Sequence, residues 1–373
     1  MKKITAFLLI LTMVLVMTAC GKDASSDTYV SENGTESGSG EADVTSASDV
    51  TVGFIFVGPV GDGGWSFSHN EGRLALESEL GVKTLYKESV PESQEVEGEI
   101  RNMIDQGASI IFATSYGYMN YVEELSKEFP DVKFFHCSGY KQTDNMSNYF
   151  GRIYEARYLS GIVAGLKSET NHIGYVGAFP IPEVVRGINA FTLGARSVNP
   201  DVEVEVVWTS TWYDPAIEKE AAIALLDSGA DIIAQHQDTG GPQQAAEERG
   251  LYSIGYHTDM SAIAPNAVLT SVVWNWNDYY VDQVKSVIDG EFESESYWGG
   301  METGMVGLTD VADFAADGTQ EALDAAIADG MHVFTGEIKD QEGNVKVADG
   351  ETLTDDELLN MLWFVEGVIG KIQ

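Results

Sequence analysis

The amino-acid sequence predicts an α/β protein built from two similar lobes, each with a parallel sheet covered by helices. The first observation is an alternation, from Thr51 onward, of short apolar runs with amphipathic helical stretches, which is typical of β-α-β units. The second is an internal repeat, in which the second half of the chain resembles the first. The chain also has 373 residues, enough for two domains of ordinary size.

The predicted strands are apolar runs bounded by turn residues. Residues 52–57 form a buried-strand pattern, followed by a glycine-rich turn and a helix near residues 71–80. A second helix ends at Gln106 with Gly107 as its stop signal, and residues 109–113 form the next strand. Further strand patterns lie at residues 173–177, 206–208, 232–235, 253–255 and 269–273.

The internal repeat consists of three matches that occur in the same order at nearly constant offset. The matching pairs are residues 52–55 with 173–176, residues 103–111 with 225–233, and residues 139–140 with 255–256. Chance explains an ordered set of this kind less well than it explains any single match. The predicted organisation begins with a signal peptide at 1–20 and a flexible tether at 21–49. A first lobe at 50–167 has a return segment of about 269–300, and a second lobe at 168–268 has a return segment of about 301–345. A C-terminal segment at 346–373 includes a helix.

The first twenty residues have the pattern of a bacterial lipoprotein signal peptide. Lys2 and Lys3 precede an apolar run at residues 4–17, and the run ends at Met-Thr-Ala-Cys with Cys20 in the lipidated position. The Ser-, Gly- and acid-rich residues 21–49 cannot bury enough apolar surface to fold. We therefore expect a protein anchored to the cell membrane by a lipid on Cys20, on its extracytoplasmic face. An ordinary signal peptide with an incidental cysteine is the alternative.

The composition excludes several classes of protein. Asp and Glu number 59 against 21 Lys and Arg, and a formal net charge of -38 argues against nucleic acid as a partner. The mature part of the chain lacks the nucleophile-elbow and phosphate-loop motifs. Two histidines are each followed two residues later by an aspartate, in the pairs His236–Asp238 and His257–Asp259. Side chains that are hydrogen-bonded within the protein or solvated explain these pairs better than a metal site does. We therefore expect no metal, no cofactor and no catalytic residues.

Aromatic and short polar side chains follow nearly every predicted strand. In a protein with two parallel-sheet lobes, ligands bind in the crevice at the carboxyl ends of the strands. A tryptophan there offers a flat stacking face, and a carboxylate accepts N–H or O–H donors. Trp65 could instead pack into the core. One of the two tyrosines Tyr116 and Tyr118 could instead have a structural role. From these loops we predict ligand contacts by Asp62, Trp65, Tyr116, Tyr118, Asn120, Trp212 and Asp238.

Two longer motifs resemble one known family. Residues 62–73 (Asp-Gly-Gly-Trp-Ser-Phe-Ser-His-Asn-Glu-Gly-Arg) and residues 150–165 resemble the basic membrane protein family, the Bmp or PnrA-like substrate-binding lipoproteins of ABC importers. The resemblance continues through residues 198–200, 208–214 and 256–259. It implies a type I periplasmic-binding-protein fold, in which two Rossmann-like lobes joined by a crossover hinge of three strands close on a ligand. It also implies ABC permease and ATPase subunits as partners.

The resemblance adds residues to the candidate site. Nucleoside-binding members carry an Asp-x-Ser-Phe-Asn pattern, in which Trp65 takes the place of the stacking aromatic, Asp62 that of the acid and Ser66 that of the asparagine. Asp259 matches the acid that those members use on ribose, whereas Trp274 takes the place of a lysine for the sugar. Loss of that lysine favours a free purine base, adenine first, over a nucleoside.

The expected function is therefore capture of a purine nucleobase by aromatic stacking and polar contacts with its edges. A purine nucleoside or a sugar bound on the same fold is the alternative, because aromatics and carboxylates also suit pyranoses. An enzyme on this scaffold, such as a nucleoside hydrolase, is the least expected outcome.

Overall fold

The computed structural model describes residues 50–372, so the predictions of a signal peptide, a tether and a lipidated Cys20 lie outside the described residues. The chain begins with β1 (Thr51–Ile55), α1 (Trp65–Leu80), β2 (Lys83–Lys87), α2 (Glu95–Asp105), β3 (Ile110–Ala113), α3 (Met119–Glu128), β4 (Lys133–Cys137) and β5 (Met146–Gly151). It continues with α4 (Ile153–Lys167), β6 (His172–Gly177), α5 (Pro182–Val198), β7 (Glu203–Trp208), α6 (Pro215–Asp227), β8 (Ile232–His236), α7 (Gly241–Glu248), β9 (Tyr252–His257) and β10 (Val268–Trp274). It ends with α8 (Asn277–Ile288), β11 (Ser296–Gly299), β12 (Val306–Leu308), α9 (Thr319–Ala328), β13 (Ile338–Lys339), β14 (Val345–Val347), α10 (Asp355–Leu359) and β15 (Val368–Ile369).

Two sheets form the centres of the two lobes. The first has the strand order β11-β5-β4-β3-β1-β2, and its pairs are parallel. The second has the order β12-β10-β9-β8-β6-β7-β15 and is parallel except for the antiparallel pair of β10 with β12. In each sheet the strand order reverses at its first strand, β1 or β6, which creates a topological switch point. The predicted α/β class with two parallel-sheet lobes is confirmed.

The internal repeat corresponds to equivalent packing in the two sheets. β3 lies beside β1 in the first sheet as β8 lies beside β6 in the second. A Cβ atom at Gly53 would come within 2.7 Å of the Ile111 side chain, and one at Gly174 within 2.8 Å of the Ile233 side chain. Glycine is required at both places because an isoleucine of the neighbouring strand covers the backbone there.

The third match of the repeat has no such counterpart. Residues 139–140 follow the end of β4, whereas residues 255–256 lie inside β9. β4 and β9 do occupy equivalent places in their sheets, but the matched residues differ in position along the strand. The correspondence of the two lobes therefore rests on the first two matches and on the strand order.

The chain crosses between the sheets three times. It does so from β5 to α4, from β10 to α8, and from β11 to β12. The sequence prediction placed a return segment of about 269–300 in the first lobe, but β10 pairs within the second sheet, so only α8 and β11 return. α4, expected in the first lobe, packs along α5 of the second, because Gly161 and Gly194 let the two helix backbones approach closely.

The C-terminal segment folds against the second lobe. β13 and β14 form a hairpin, and β15 adds a parallel strand to the edge of the second sheet. Arg186 on α5 donates a hydrogen bond to the Leu358 carbonyl at 2.7 Å, and the Asn189 amide group donates to the Trp363 carbonyl at 2.8 Å. The helix expected within residues 346–373 is the short α10. Within residues 50–372, no helix is both long and apolar enough to cross a membrane.

Candidate ligand-binding site

A cavity of about 310 Å³ lies between the two lobes, and each lobe supplies five of the residues that line it. The lining residues are Val57, Trp65, Ser115, Tyr116 and Ser138 from the first lobe, and Glu183, Trp212, His236, Asp238 and His257 from the second. All of them lie at the end of a strand or in the loop and first helical turn that follow it. The cavity therefore occupies the place where the carboxyl ends and switch points of both sheets meet, the usual ligand position in α/β folds.

Asp238 is a buried acid in the wall of this cavity. It is 2% exposed, its Oδ1 lies 3.2 Å from His257 Nε2, and its Oδ2 has no hydrogen-bond partner within residues 50–372. Glu218 on α6 holds the loop that carries Asp238, since its carboxylate accepts hydrogen bonds from the amide and hydroxyl of Thr239. A buried carboxylate oxygen without a partner costs free energy, so Oδ2 favours a ligand that donates a hydrogen bond.

His257 connects Asp238 to the aromatic core. It is 2% exposed and is the last residue of β9, where its backbone φ is +72°. Ser138, just past the equivalent strand β4, also has a left-handed backbone with φ of +62°. Side-chain-bearing residues seldom adopt this conformation, and such strain clusters at functional sites. The Nδ1 atom of His257 accepts a hydrogen bond from the indole N–H of Trp274 at 3.1 Å.

Burial governs the protonation of these side chains. It raises the pKa of Asp238 well above its usual value, and nearby carboxylates raise it further. It lowers the pKa of His257 well below its usual value, with help from the other buried cationic and imidazole groups. The pKa of His236 is also lowered by burial, although the carboxylate of Glu183 opposes the shift. Both imidazoles are therefore neutral at neutral pH.

His236 is held by a second set of polar groups. Its Nε2 lies 3.2 Å from Glu183 Oε1 and 3.2 Å from the Tyr256 hydroxyl. Arg157 is fully buried with its guanidinium 3.6 Å from the centre of the Tyr256 ring, and its nitrogens have no hydrogen-bond partner in the described part of the chain. The cation–π contact with Tyr256 stabilises this buried positive charge close to the cavity wall.

The two lobes touch beside the cavity. The Thr258 hydroxyl of the second lobe donates to the Gly63 carbonyl of the first at 2.6 Å. The next residue, Gly64, lies so close to Asp238 that a Cβ atom there would be 2.2 Å from the Asp238 carbonyl oxygen. Only glycine allows this approach, so the Gly-Gly pair of the first loop is required for the lobes to meet.

The predicted ligand-contact residues that line the cavity are Trp65, Tyr116, Trp212 and Asp238. Trp65 also packs into the core, and its indole N–H donates to the Thr114 carbonyl at 2.7 Å. The indole N–H of Trp212 donates across the lobes to the Glu92 carboxylate at 3.2 Å. Because both indole donors are already paired, the carbon surfaces of these rings are what remains for a ligand.

Three other predicted residues have structural contacts in the first lobe. Asp62 accepts hydrogen bonds of 2.8–2.9 Å from three backbone amides at the start of α1, and burial raises its pKa. Ser66 is fully buried, and its hydroxyl accepts from the Gly58 amide at 3.0 Å. Tyr118 is fully buried and donates to the Val90 carbonyl. These side chains shape the loops after β1 and β3 and do not line the cavity.

The remaining three predicted residues lie further away. Asn120 and Asp259 are exposed, and the Asn120 amide oxygen accepts from Lys141 at 2.8 Å. Trp274 is 7% exposed and stacks on Trp276 with ring centres 4.7 Å apart. None of the three lines the cavity, because a position at the end of a strand does not by itself decide which way a side chain faces.

Six lining residues were not predicted to bind ligand, namely Val57, Ser115, Ser138, Glu183, His236 and His257. Each lies at a strand end that the sequence identifies, so the missing information was the order of strands in the sheet. The His236–Asp238 spacing was the available signal, because an imidazole and a carboxylate two residues apart follow the strand next to the switch point. Within residues 50–372, no group of three or more His, Cys, Asp or Glu is placed to hold a metal ion.

A larger groove of about 1730 Å³ adjoins the cavity and runs toward α10. Asp355 in this groove accepts two hydrogen bonds from Arg152 at 2.6–2.7 Å, and Arg186 donates to the Leu358 carbonyl, but the buried Nε atoms of Arg186 and of the Trp298 indole have no partner within the described residues. The smaller cavity lies where the carboxyl ends of both sheets meet and also holds an unpartnered carboxylate oxygen, so it is the better candidate for a ligand site.

The fold and the cavity define a class of protein, namely a binding protein whose two lobes enclose a small molecule. A family model described as Bmp, the PnrA-like substrate-binding proteins of ABC transporters, matches residues 49–341. The chain belongs to this family. It is therefore a substrate-binding protein of an ABC transporter, which acts outside the cytoplasm with a small-molecule ligand and the transporter components.

Individual relatives agree with this assignment. A purine-binding protein of Brucella abortus is 44% identical over 326 residues, covering 86% of this chain and 93% of that protein. A putative ABC transporter glucose-binding protein of Haloferax volcanii is 37% identical, covering 93% of this chain and 89% of that protein. An ABC transporter solute-binding protein structure from Conexibacter woesei has a TM-score of 0.61 at 23% identity, covering 76% of this chain and 97% of that one. That similarity shows the type I periplasmic-binding-protein fold.

Replacement of Asp238 by Asn is expected to raise the melting temperature of the ligand-free protein. Burial raises the folded-state pKa of Asp238 above the unfolded value near 3.8, so the fold loses stability as pH rises from about that value through the folded-state pKa. A neutral amide removes this loss at pH 7, while its oxygen still accepts from His257. We expect a rise of about 2–4 °C or more in a thermal melt. The gain should shrink at pH 4, and a lower melting temperature at pH 7 would contradict the account.

Proposed function

We propose that this protein captures a purine nucleobase, adenine first, in the cavity between its lobes and delivers it to an ABC importer without chemical change. The observation that carries the proposal is the buried Oδ2 atom of Asp238, which lies in a cavity with aromatic walls and has no hydrogen-bond partner among residues 50–372. A purine presents N–H donors on its edge and an aromatic face, and so matches both features.

The charge of the cavity wall supports an uncharged ligand. The lining includes the carboxyl groups of Asp238 and Glu183, and no lysine or arginine is among the described residues that line it. A nucleotide phosphate would meet no cation there and would be repelled by the acids. Neutral His236 and His257 add no charge, and Nδ1 of His236 has no hydrogen-bond partner within the described residues. The wall therefore favours a neutral molecule with hydrogen-bond donors.

The aromatic lining of the cavity supports a ligand with a flat ring, such as a purine base. Trp65, Tyr116 and Trp212 supply aromatic surface, and base–aromatic stacking contributes about 1–3 kcal/mol per base. Stacking together with pairing at Asp238 supplies a large part of the roughly 8 kcal/mol that a micromolar dissociation constant requires. The Brucella abortus relative, which is 44% identical, is named a purine-binding protein, and this name supports the choice of a purine.

A sugar is the second candidate ligand. The putative glucose-binding relative from Haloferax volcanii is 37% identical over nearly the whole chain. Carboxylates that accept hydroxyl hydrogen bonds and aromatic rings that cover an apolar sugar face occur in the same cavity. The proposal of adenine therefore competes directly with glucose, and the two can be compared in one assay.

The anchoring and partners complete the proposed role. We propose that Cys20 carries a lipid that holds the protein at the outer face of the cell membrane, and that residues 21–49 form a tether. Permease and ATPase subunits would receive the ligand from the separated lobes. The family is one of substrate-binding proteins, which supports capture without catalysis.

Isothermal titration with adenine, hypoxanthine, guanine, adenosine and glucose tests the proposed ligand. We expect adenine to bind with a dissociation constant in the micromolar range or below, because its ring and N–H donors match the cavity. Adenosine should bind more weakly, because no lysine or arginine lines the cavity within the described residues to pair with its ribose hydroxyls. Heat of binding with glucose and none with any purine would reverse the proposal.

Replacement of Gly64 by Ala is expected to weaken adenine binding by roughly 10- to 100-fold, because the added methyl group meets the Asp238 carbonyl and keeps the lobes apart. The melting temperature without ligand should change little, since the clash arises only between the lobes. Gly61→Ala is the matched control in the same loop, because a Cβ atom there meets nothing within 4 Å. Equal effects of the two substitutions on affinity would argue against closure at Gly64.

The affinity for adenine is expected to rise as the pH rises above about 3.8 and through the pKa of Asp238 in the free protein. Burial and nearby carboxylates raise the pKa of Asp238 in the free protein, and pairing with a ligand N–H stabilises the carboxylate and lowers that pKa in the complex. Binding therefore releases a proton in the window between the two pKa values, with a limiting slope of about tenfold per pH unit. Titrations across this range measure it, with Asp238→Asn as a control that should show a flat profile. Affinity that falls as pH rises would show that Asp238 donates instead of accepting.

A further inference from the structure

We propose that Trp274 is a positioning residue that sets the tautomer of His257 and thereby leaves Oδ2 of Asp238 as the open polar atom of the cavity. The effect of Trp274 on ligand binding rests on the proposed function, but the tautomer of His257 is a property of the free protein. It changes the role of Trp274, which the sequence suggests as a ligand contact.

The tautomer follows from which groups can donate. An indole N–H is a donor only, so the nitrogen that faces it must accept. The Trp274 indole nitrogen lies 3.1 Å from Nδ1 of His257, and Nδ1 therefore carries no proton. In a neutral imidazole the proton then resides on Nε2, which lies 3.2 Å from Oδ1 of Asp238 and donates to it. Burial lowers the pKa of His257 well below its usual value, which is consistent with a neutral ring.

The tautomer of His257 determines which oxygen of Asp238 remains without a hydrogen bond. A carboxylate has two oxygens, and the bond from His257 Nε2 occupies Oδ1. Oδ2 stays buried without a partner within the described residues, and it belongs to a side chain that lines the cavity. With the other tautomer, His257 would present a bare Nε2 to Asp238, and two acceptors would face one another. The carboxylate would then turn or take up a proton, and the open acceptor for a ligand N–H would be lost.

The position of His257 is held from two sides. Its backbone adopts the left-handed region with φ of +72°, which fixes where the side chain leaves the strand. Trp274 is itself locked, because its ring stacks on Trp276 at 4.7 Å between ring centres with planes 14° apart. Trp65 packs edge-on against Trp274 with ring centres 5.7 Å apart. The indole N–H therefore has one direction available, and that direction is toward Nδ1 of His257.

The test replaces the indole donor and reads the imidazole directly. In full-length protein with ¹⁵N-labelled histidine, long-range proton–nitrogen correlation spectra report which ring nitrogen of His257 bears the proton, with His257→Gln used for assignment. We expect the Nε2–H form in the wild-type protein and a mixture of tautomers in Trp274→Phe. The dissociation constant for adenine should rise about tenfold in Trp274→Phe, the change that corresponds to about 1.4 kcal/mol.

Trp208→Phe is the matched control. It also removes an indole N–H from a tryptophan at the end of a strand of the second sheet, but that group donates to the Lys371 carbonyl at 2.8 Å and not to His257. We expect the His257 tautomer to be unchanged and the adenine affinity to change less than twofold. His257→Gln, which retains one acceptor and one donor, should keep more affinity than His257→Leu, and this comparison still applies if Trp274→Phe folds poorly.

The outcomes separate this inference from the proposed function. A wild-type His257 that is protonated on Nδ1, or a Trp274→Phe spectrum identical to wild type, overturns the inference. Loss of adenine affinity with an unchanged tautomer also overturns it, because Trp274 would then act through packing alone. If no purine binds the wild-type protein but the tautomer shifts as expected, the proposed ligand is wrong and the positioning role of Trp274 stands.

Discussion

The buried carboxylate of Asp238 is the constraint on which the arrangement of the site depends. Desolvation makes its charge costly, and residues 50–372 supply one side-chain hydrogen bond to it, from His257, where two oxygens need partners. Glu218 holds the loop that carries it, and Gly64 of the other lobe lies against its backbone. The folded protein therefore keeps a buried carboxylate oxygen that lacks a hydrogen bond, and a ligand that donates to this oxygen removes the free-energy cost. Binding free energy can in this way be coupled to closure of the lobes.

The two-lobed fold brings this carboxylate to aromatic surface that the first lobe provides. Parallel strands of each sheet end at the same edge, and the two edges face one another because the chain crosses between the sheets three times. Trp65 and Tyr116 come from one edge, and Trp212 and Asp238 from the other. A ligand that contacts both sets is satisfied only when the lobes are together. Under the proposed function, a ligand that bridges the two sets would therefore stabilise the arrangement in which the lobes are together.

Much of the fold followed from the sequence because its signals are local. Apolar runs and glycine stops located most of the strands, and the repeat indicated two lobes. Strand partners were not readable, so β10 was assigned to the wrong lobe. At the site, Asp62 and Asp238 are both acids after strands, but backbone amides of α1 satisfy Asp62 and leave Asp238 for a ligand. Many of the aromatic side chains pack in the core, as Trp274 does, because side-chain direction depends on backbone geometry that composition does not encode.

A crystal structure of the protein with adenine tests the central claim most directly. The account predicts the base in the cavity between the lobes, against Trp65 or Trp212, with one of its N–H groups about 2.7–3.2 Å from Oδ2 of Asp238. The Nε2–Oδ1 contact of His257 with Asp238 should persist in the complex. Adenine bound elsewhere, or bound in this cavity with Oδ2 still lacking a hydrogen-bond partner, would contradict it.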